Sequence, residues 1–588
     1  MKLTIPTCRS FELIIRITRK MADDQQRQRT IVGTKPEEGK GSTPHFQSKF
    51  GLIVSCLGCV VGTGNIWRFP RIVATNSDEK GGLVFLLVWF LFLILWSCPM
   101  LLVEYATGRY TKKAVIGSFQ QFIGKQFVWC GAWICMVTFF ISCYYSVVLG
   151  WCFYYFIYFI GHELPTRVDD SKAIYKEFAE ESAWPVLTHF LAVFISAMSV
   201  MFGVRGIERV NMALVPVLLL IILFTFVWSL TREYADQGIT FLFTPSWESF
   251  GKPRVWVDAV SQNAFDTGAG MGLLVPYSTF MTQNHAVVKY SYFIPAVNNL
   301  VSLICGILIF STVFSTLTLT RIGISHKEIV DIMKDSGPAS TGITFIWIPV
   351  LFESIGGFGR VLAILFFLCL SFAGITSLIS NMELCTHTLY DFGVPRKFAT
   401  PVTAVLTFLV GLMSALNIDI LTNQDFVWAF ALLINGLMFQ MMVIRFGTAN
   451  FRKNVINEYS TDDWHLFKYW EWVIKIVAPL EAVALIVWWA IDLIDNNAGD
   501  GEEWYEFGKE TLVTTLTQWI GVMAILILIN GIWLWFLRRR GSYNYFDNDE
   551  KTHLLSAEKD ETEKESSYTL GDKNKLHDTF GQTSEISV

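Results

Sequence analysis

Twelve stretches of this chain are long and apolar enough to cross a bilayer, and that feature decides most of what it can fold into. A helix needs about 20 mostly apolar residues to span a hydrocarbon core of roughly 30 Å. The stretches are approximately Gly51–Ala74, Gly82–Val103, Phe127–Ile160, Ala183–Gly203, Val210–Leu230, Val255–Phe280, Tyr290–Thr318, Val361–Leu384, Pro401–Leu416, Phe426–Ile444, Trp472–Ile491 and Leu512–Leu537, the ninth being the shortest. Lipid offers no partner to backbone N–H and C=O groups, so runs of this kind become helices. Only 16% of residues are charged, against about a quarter in soluble domains. That excludes a cytosolic enzyme, a disordered scaffold and a disulfide-stapled secreted module. A net charge of −5 offers no basic face to a nucleic-acid backbone, so no nucleic acid is expected as a partner. The expected fold class is an all-α polytopic membrane protein whose surroundings are the lipid bilayer.

Lys and Arg in short loops set the orientation. Arg109, Lys112, Lys113 and Lys125 fall between spans two and three, Arg396 and Lys397 between eight and nine, and Arg538, Arg539 and Arg540 close the last span. All lie on one side, which makes both termini cytoplasmic. The opposite side collects Asp492, Asp495, Asp500, Glu502, Glu503 and Glu506 against one Lys. Three domains are expected: a cytoplasmic segment 1–49, a twelve-helix body 50–538, and a disordered cytoplasmic tail 539–588. Residues 1–20 are basic and nearly acid-free, read either as a transit peptide or, preferably, as an upstream start ahead of Met21. Arg321 to Ser354, between spans seven and eight, has room for short surface helices forming a lid. The 11 Cys lie almost all within spans, so no disulfide framework is expected.

Two spans carry glycines midway: Gly58-Cys59-Val60-Val61-Gly62-Thr63-Gly64-Asn65 in span one, and Asp266-Thr267-Gly268-Ala269-Gly270-Met271-Gly272 in span six. Glycine within a helix costs about 1 kcal/mol relative to Ala, so clustering favours unwinding. Either segment alone also suits close helix packing through small residues. Two of them five spans apart point to a carrier of two inverted five-span repeats with a site at mid-membrane.

Asn65 to Arg71 with the preceding glycine (GNIWRFPR), EYATGRY (Glu104–Tyr110), Tyr144-Tyr145, RGIERVN (Arg205–Asn211), FAGITS (Phe372–Ser377) and Asp425 opening span ten stand in an order that resembles the sodium:neurotransmitter symporter family. The resemblance runs from about Phe46 to Leu537. It implies twelve transmembrane helices in a LeuT-type 5+5 inverted repeat with helices one and six broken. It also implies two sodium sites. The first would use the Val60 carbonyl, the side chains of Asn65 and Asn298, residue Asp266 and the substrate carboxylate. The second would use the carbonyls of Gly58, Val61 and Ala373 with the hydroxyls of Thr376 and Ser377. The substrate carboxylate would rest on the N–H groups of Thr63 and Gly64 and on the Tyr145 hydroxyl. The amine would meet the carbonyls of Val60, Phe265 and Gly268. Phe265 would be the lid, and Ile141, Met271 and Asn381 would line the side-chain pocket. Arg68 and Asp425 would form the outer gate, and Asp391 would serve the inner one.

Position 62 speaks to substrate class: monoamine carriers of the family have an Asp there, whereas this chain has Gly62, so its substrate is expected to bring its own carboxylate. Of the family's chloride ligands the chain keeps Gln262, Asn298 and Ser302 but has Trp89 for a Tyr and Asp266 for a Ser. A carboxylate there repels an anion and supplies negative charge itself, so chloride is not expected to be required. Ser77-Asp78-Glu79-Lys80 interrupts the usual entry to span two. Thr43 and Phe46 replace the cytoplasmic Arg-x-x-Trp motif, leaving His45 and Lys49 as candidates to meet Asp391. The resulting expectation is sodium-coupled symport of a neutral amino acid across the plasma membrane by alternating access, with no enzymatic step. A betaine-like osmolyte is the rival cargo, and a transport-dead receptor the rival class; intact Asn65, Asn298, Thr376 and Ser377 argue against the latter.

Overall fold

A computed structural model describes residues 45–321, 323–334, 341–495 and 503–539. Residues 1–44 of the expected N-terminal segment, 540–588 of the expected tail, and Asp500 and Glu502 lie outside the described residues. Within them every regular element is helical. Ten expected spans are single helices: Leu83–Thr111, Lys125–Gly161, Trp184–Met201, Val204–Leu230, Val287–Thr320, Gly357–Asp391, Arg396–Leu416, Ile418–Phe446, Tyr469–Asp495 and Leu512–Arg539. The other two are the glycine-interrupted ones. Span one is Lys49–Val60 followed by Gly64–Thr75, bent by 52°. Span six is Pro253–Thr267 followed by Leu274–Thr279.

Several ends lie beyond the apolar runs, and polar anchors account for them. Span eight continues past Leu384 to Asp391, and span nine opens at Arg396 rather than Pro401. The fully buried Glu383 takes a two-pronged bond from Arg396, 2.6 Å on each arm, which ties the two helices together at their junction. Span ten opens at Ile418, where the Asn417 side chain accepts from the N–H groups of Asp419 and Ile420, so Asp425 lies inside the helix and not at its start. Arg109 is no loop residue: it sits buried in the last turns of span two and donates to the carbonyls of His285 at 2.9 Å and Val455 at 3.4 Å.

The surface is apolar where lipid would lie. Leu220, Leu223, Phe224 and Val227 of span five and Ile525, Leu528 and Ile529 of span twelve are exposed, a face unsuited to water and suited to acyl chains. Polar side chains turn inward instead, Asn65, Glu104, Asn298 and Glu383 all being buried. Span three runs through the middle of the bundle, with Trp133 and Trp151 buried on it and Phe140 stacked on Trp428 at 4.4 Å.

The departure at 77–80 becomes an outer clasp. Asp78 and Glu79 adopt left-handed backbone, φ +51° and +61°. Asp78 pairs with Lys252 and accepts from Ser249 at 2.6 Å, while Glu79 lies 3.3 Å from Lys327 and 3.8 Å from Lys334 on the surface helix His326–Lys334. The turn thus joins the end of span one and the start of span six to the helix His326–Lys334.

Removing Arg396 should strand the Glu383 charge. Arg396→Met is expected to lower stability by about 3–5 kcal/mol, and adding Glu383→Gln should restore most of it. Thermal unfolding of the purified single and double variants checks this; a double variant no more stable than Arg396→Met contradicts it.

Candidate functional site

The break in span one is a local redirection of the backbone. Val61 is extended (φ −76°, ψ 96°), and the groups freed beyond it find side chains. The Gly62 N–H donates to Asn65 Oδ1 at 2.8 Å, and the Thr63 hydroxyl donates to the Tyr145 oxygen at 3.0 Å. A side chain at position 62 has no room: its Cβ would stand 2.8 Å from Ser377 Oγ and 3.6 Å from the Tyr145 oxygen. One at position 64 would stand 2.9 Å from Asp266 Oδ1 and 3.2 Å from the Phe265 ring. The glycines therefore let spans three, six and eight close around this break.

Span six unwinds through Gly268, Gly270 and Gly272, with φ of +68°, +93° and +76°. Its freed N–H groups converge on one carboxylate. Glu104 Oε1 accepts from Gly270 at 2.9 Å and Gly272 at 3.1 Å, and Oε2 accepts from Leu274 at 3.2 Å, where the inner half-helix begins. Thr138 of span three donates to the Met271 carbonyl at 2.7 Å. The EYATGRY resemblance assigns Glu104 no role; the signal in the residues is an acid bordering an unbroken apolar run.

A chain of buried amides and hydroxyls joins the two breaks. Asp266 accepts from Gln262 Nε2 at 2.8 Å and from the Ser302 hydroxyl at 3.1 Å. Asn65 donates to Ser302 Oγ at 2.7 Å and to Asn298 Oδ1 at 2.9 Å. Beyond Asn298 the chain passes to Asn299 at 3.3 Å, then to Asn263 at 3.2 Å, where Ser97 also donates at 3.2 Å. Ser97 ends a π-helical turn, Leu93–Ser97, in span two. Trp89 packs on Phe69, ring centroids 4.6 Å apart, and its carbonyl accepts from Asn263. Among the described residues no cation is paired with Asp266.

On span eight, the Thr376 hydroxyl donates to the carbonyls of Ala373 at 3.0 Å and Phe372 at 3.2 Å, and Ser377 faces Gly62. Gly58 turns its open side to Asn211 and Val215 of span five, while Val60 and Val61 are buried. Ile141, Met271 and Asn381 are buried too, at 1%, 5% and 4% exposure.

The expected gates are arranged differently. Arg68 and Asp425 line one small pocket with Thr63, Tyr144, Tyr145 and Phe265, yet no ion pair joins them among the described residues. The Arg68 guanidinium lies 4.4 Å above the centre of the Phe265 ring instead. At the inner end, Asp391 accepts from the Ala114 N–H at 2.5 Å and stands 3.8 Å from His387, which in turn lies 3.3 Å from Glu383. His45 bonds the Phe280 carbonyl at 3.4 Å and the Gln47 N–H donates to Glu208 at 2.9 Å, so this part of the N-terminal segment is held by spans five and six.

Two broken helices, with polar side chains gathered between them inside an apolar bundle, are the architecture of a secondary carrier. The chain belongs to the sodium:neurotransmitter symporter family, whose profile matches residues 43–183 and 176–536. It is 26% identical to an uncharacterised sodium-dependent transporter of Methanocaldococcus jannaschii over 77% of this chain and 92% of that one. It is 23% identical to the sodium-dependent neutral amino acid transporter B(0)AT3 of Rattus norvegicus over 87% and 96%. Among solved structures it matches MhsT in complex with L-phenylalanine, with a TM-score of 0.65 and 26% identity over 76% of this chain and all of that one. The fold is therefore the LeuT type, and the family is one of secondary transporters and not of enzymes.

Glu104→Ala should leave three backbone N–H groups without an acceptor. Hydrogen bonds to a charged group are worth about 1.5–3 kcal/mol each, so the variant is expected to lose several degrees of thermal stability and nearly all transport. Wild-type values of both would contradict the role assigned to this carboxylate.

Proposed function

We propose that this chain couples sodium to the uptake of a neutral amino acid across the plasma membrane, by alternating access, with both termini cytoplasmic and no requirement for chloride. The observation that carries the reading is the company kept by Asp266. Gln262 and Ser302, which in chloride-dependent relatives would hold the anion, here donate to this carboxylate. A fixed negative charge beside Asn65 and Asn298 balances entering sodium ions without a dissociable anion. At the span-one break the chain offers Gly62, so the carboxylate that the substrate site lacks is the cargo's own.

In this mechanism the substrate carboxylate lies on the N–H groups of Thr63 and Gly64, at the positive end of the outer half of span one, and takes the Tyr145 hydroxyl. The amine lies on the carbonyls of Val60, Phe265 and Gly268. The first sodium joins the Val60 carbonyl, Asn65, Asp266, Asn298 and the substrate carboxylate; sharing that carboxylate couples ion to cargo. The second sodium draws the carbonyls of Gly58, Val61 and Ala373 together with Thr376 and Ser377, which requires the Thr376 hydroxyl to turn from its own helix. Closure brings Phe265 over the cargo and moves Arg68 from the Phe265 ring to Asp425. The Asp391–His387–Glu383 cluster then serves as the inner gate in place of a partner from the N-terminal segment. The amino-acid cargo of B(0)AT3 and the phenylalanine held by MhsT support this class of substrate.

Radiolabelled amino-acid uptake into proteoliposomes tests the reading. Uptake is expected with sodium outside, to vanish in potassium, and to persist when gluconate replaces chloride, whereas Asp266→Ser should acquire a chloride requirement. Loss of wild-type uptake in gluconate would refute the charge argument. Because any side chain here meets Ser377, Gly62→Asp is compared with the isosteric Gly62→Asn, and the Asp variant should bind the cargo roughly a thousandfold more weakly, since two carboxylates about 4 Å apart at an effective dielectric near 20 repel by about 4 kcal/mol. Equal binding by the two variants would show that position 62 does not face the cargo.

A further inference from the structure

The amide of Asn381 is a buried polar group that the mechanism leaves idle. Its neighbours on the inward face of span eight are partnered: Thr376 bonds its own helix, Ser380 meets the Tyr277 hydroxyl at 2.8 Å, and Glu383 is held by Arg396. Asn381 is 4% exposed, and its Oδ1 has no hydrogen-bond partner among the described residues. Helical spacing fixes where it stands. Ser377, one turn before it, lies against the span-one break, its Oγ 2.8 Å from where a Cβ on Gly62 would be. Leu384, one turn after it, lies against the span-six break, its Cδ1 3.4 Å from where a Cβ on Gly272 would be. Positions 377, 381 and 384 share one helix face, so Asn381 stands between the two breaks. In the proposed pose the cargo's backbone occupies the span-one break, which leaves its side chain to extend toward this position.

A buried amide oxygen without a partner is unfavourable, and a site that hydrogen-bonds its substrate rejects analogues lacking the matching group. Ile141 and Met271, the other pocket residues, offer only apolar surface. We infer that Asn381 is a specificity-determining residue, and that the preferred cargo is a neutral amino acid whose side chain carries a hydroxyl or carboxamide. Such groups both donate and accept, so they satisfy the amide whichever way it is turned. This rests on the amino-acid carrier reading above and narrows it.

The experiment compares sodium-dependent uptake of labelled Thr with Val and of Gln with Met, pairs matched in shape and differing in polarity, at limiting concentration in proteoliposomes. The wild type is expected to favour the polar member of at least one pair by about tenfold or more, and Asn381→Leu to reduce that ratio to about twofold or less while still transporting Val or Met. Equal or better uptake of the apolar member in both pairs by the wild type overturns the inference even if no variant is made. So does a polar preference that survives in Asn381→Leu, or in Asn381→Ala should the Leu variant not reach the membrane. Sodium-independent or absent uptake of all four amino acids would instead remove the carrier reading beneath it, which distinguishes the two failures.

Discussion

An opened helix inside a membrane needs a substitute for every backbone bond it gives up, and in this chain the Glu104 carboxylate supplies three of them at once. Span six can leave helical geometry through Gly268, Gly270 and Gly272 because one acid from span two receives the N–H groups that unwinding frees. In the proposed mechanism the carbonyls released on the other side of the break receive the cargo. Without that acid the glycines alone would make span six weak, not functional. The Gly62–Asn65 bond plays the smaller equivalent part in span one, and Gly64 admits Asp266 and Phe265 to the same point.

The second constraint is electrical. Charged groups within the bundle are few, and Glu104, Asp266 and Glu383 are each held by specific partners. Glu383 faces Arg396, whereas Asp266 has amide and hydroxyl donors and no cation among the described residues. In the proposed mechanism the Asp266 carboxylate, beside Asn65 and Asn298, is the negative charge that balances the entering sodium ions. The amide chain from Asn298 through Asn299 and Asn263 to Ser97 holds that region in one arrangement, tying spans two, six and seven together.

Much of this was legible in the residues. Helix number and the two breaks followed from apolar length and clustered glycines, since both are local properties of sequence. Ends were harder, because Arg396, Asn417 and Arg109 settle them through partners distant in the chain or through caps within an otherwise ambiguous run. The role of Glu104 was hidden for the same reason: the N–H groups that donate to it lie 166 to 170 residues away. The pairing of Asp391 with His387, one turn back on its own helix, is readable from their i, i+4 spacing alone. The 77–80 interruption read as a loss of pattern, and only the fold reveals that its acids reach Lys252, Lys327 and Lys334.

The central claim is that a fixed carboxylate, and not chloride, lets sodium and an amino acid bind together. Equilibrium binding of radioactive sodium to the purified protein in chloride-free buffer tests it most directly. The account predicts saturable binding that tightens when a transported amino acid is added and is lost in Asp266→Asn. Sodium binding that appears only when chloride is restored, or that ignores the amino acid, would contradict it.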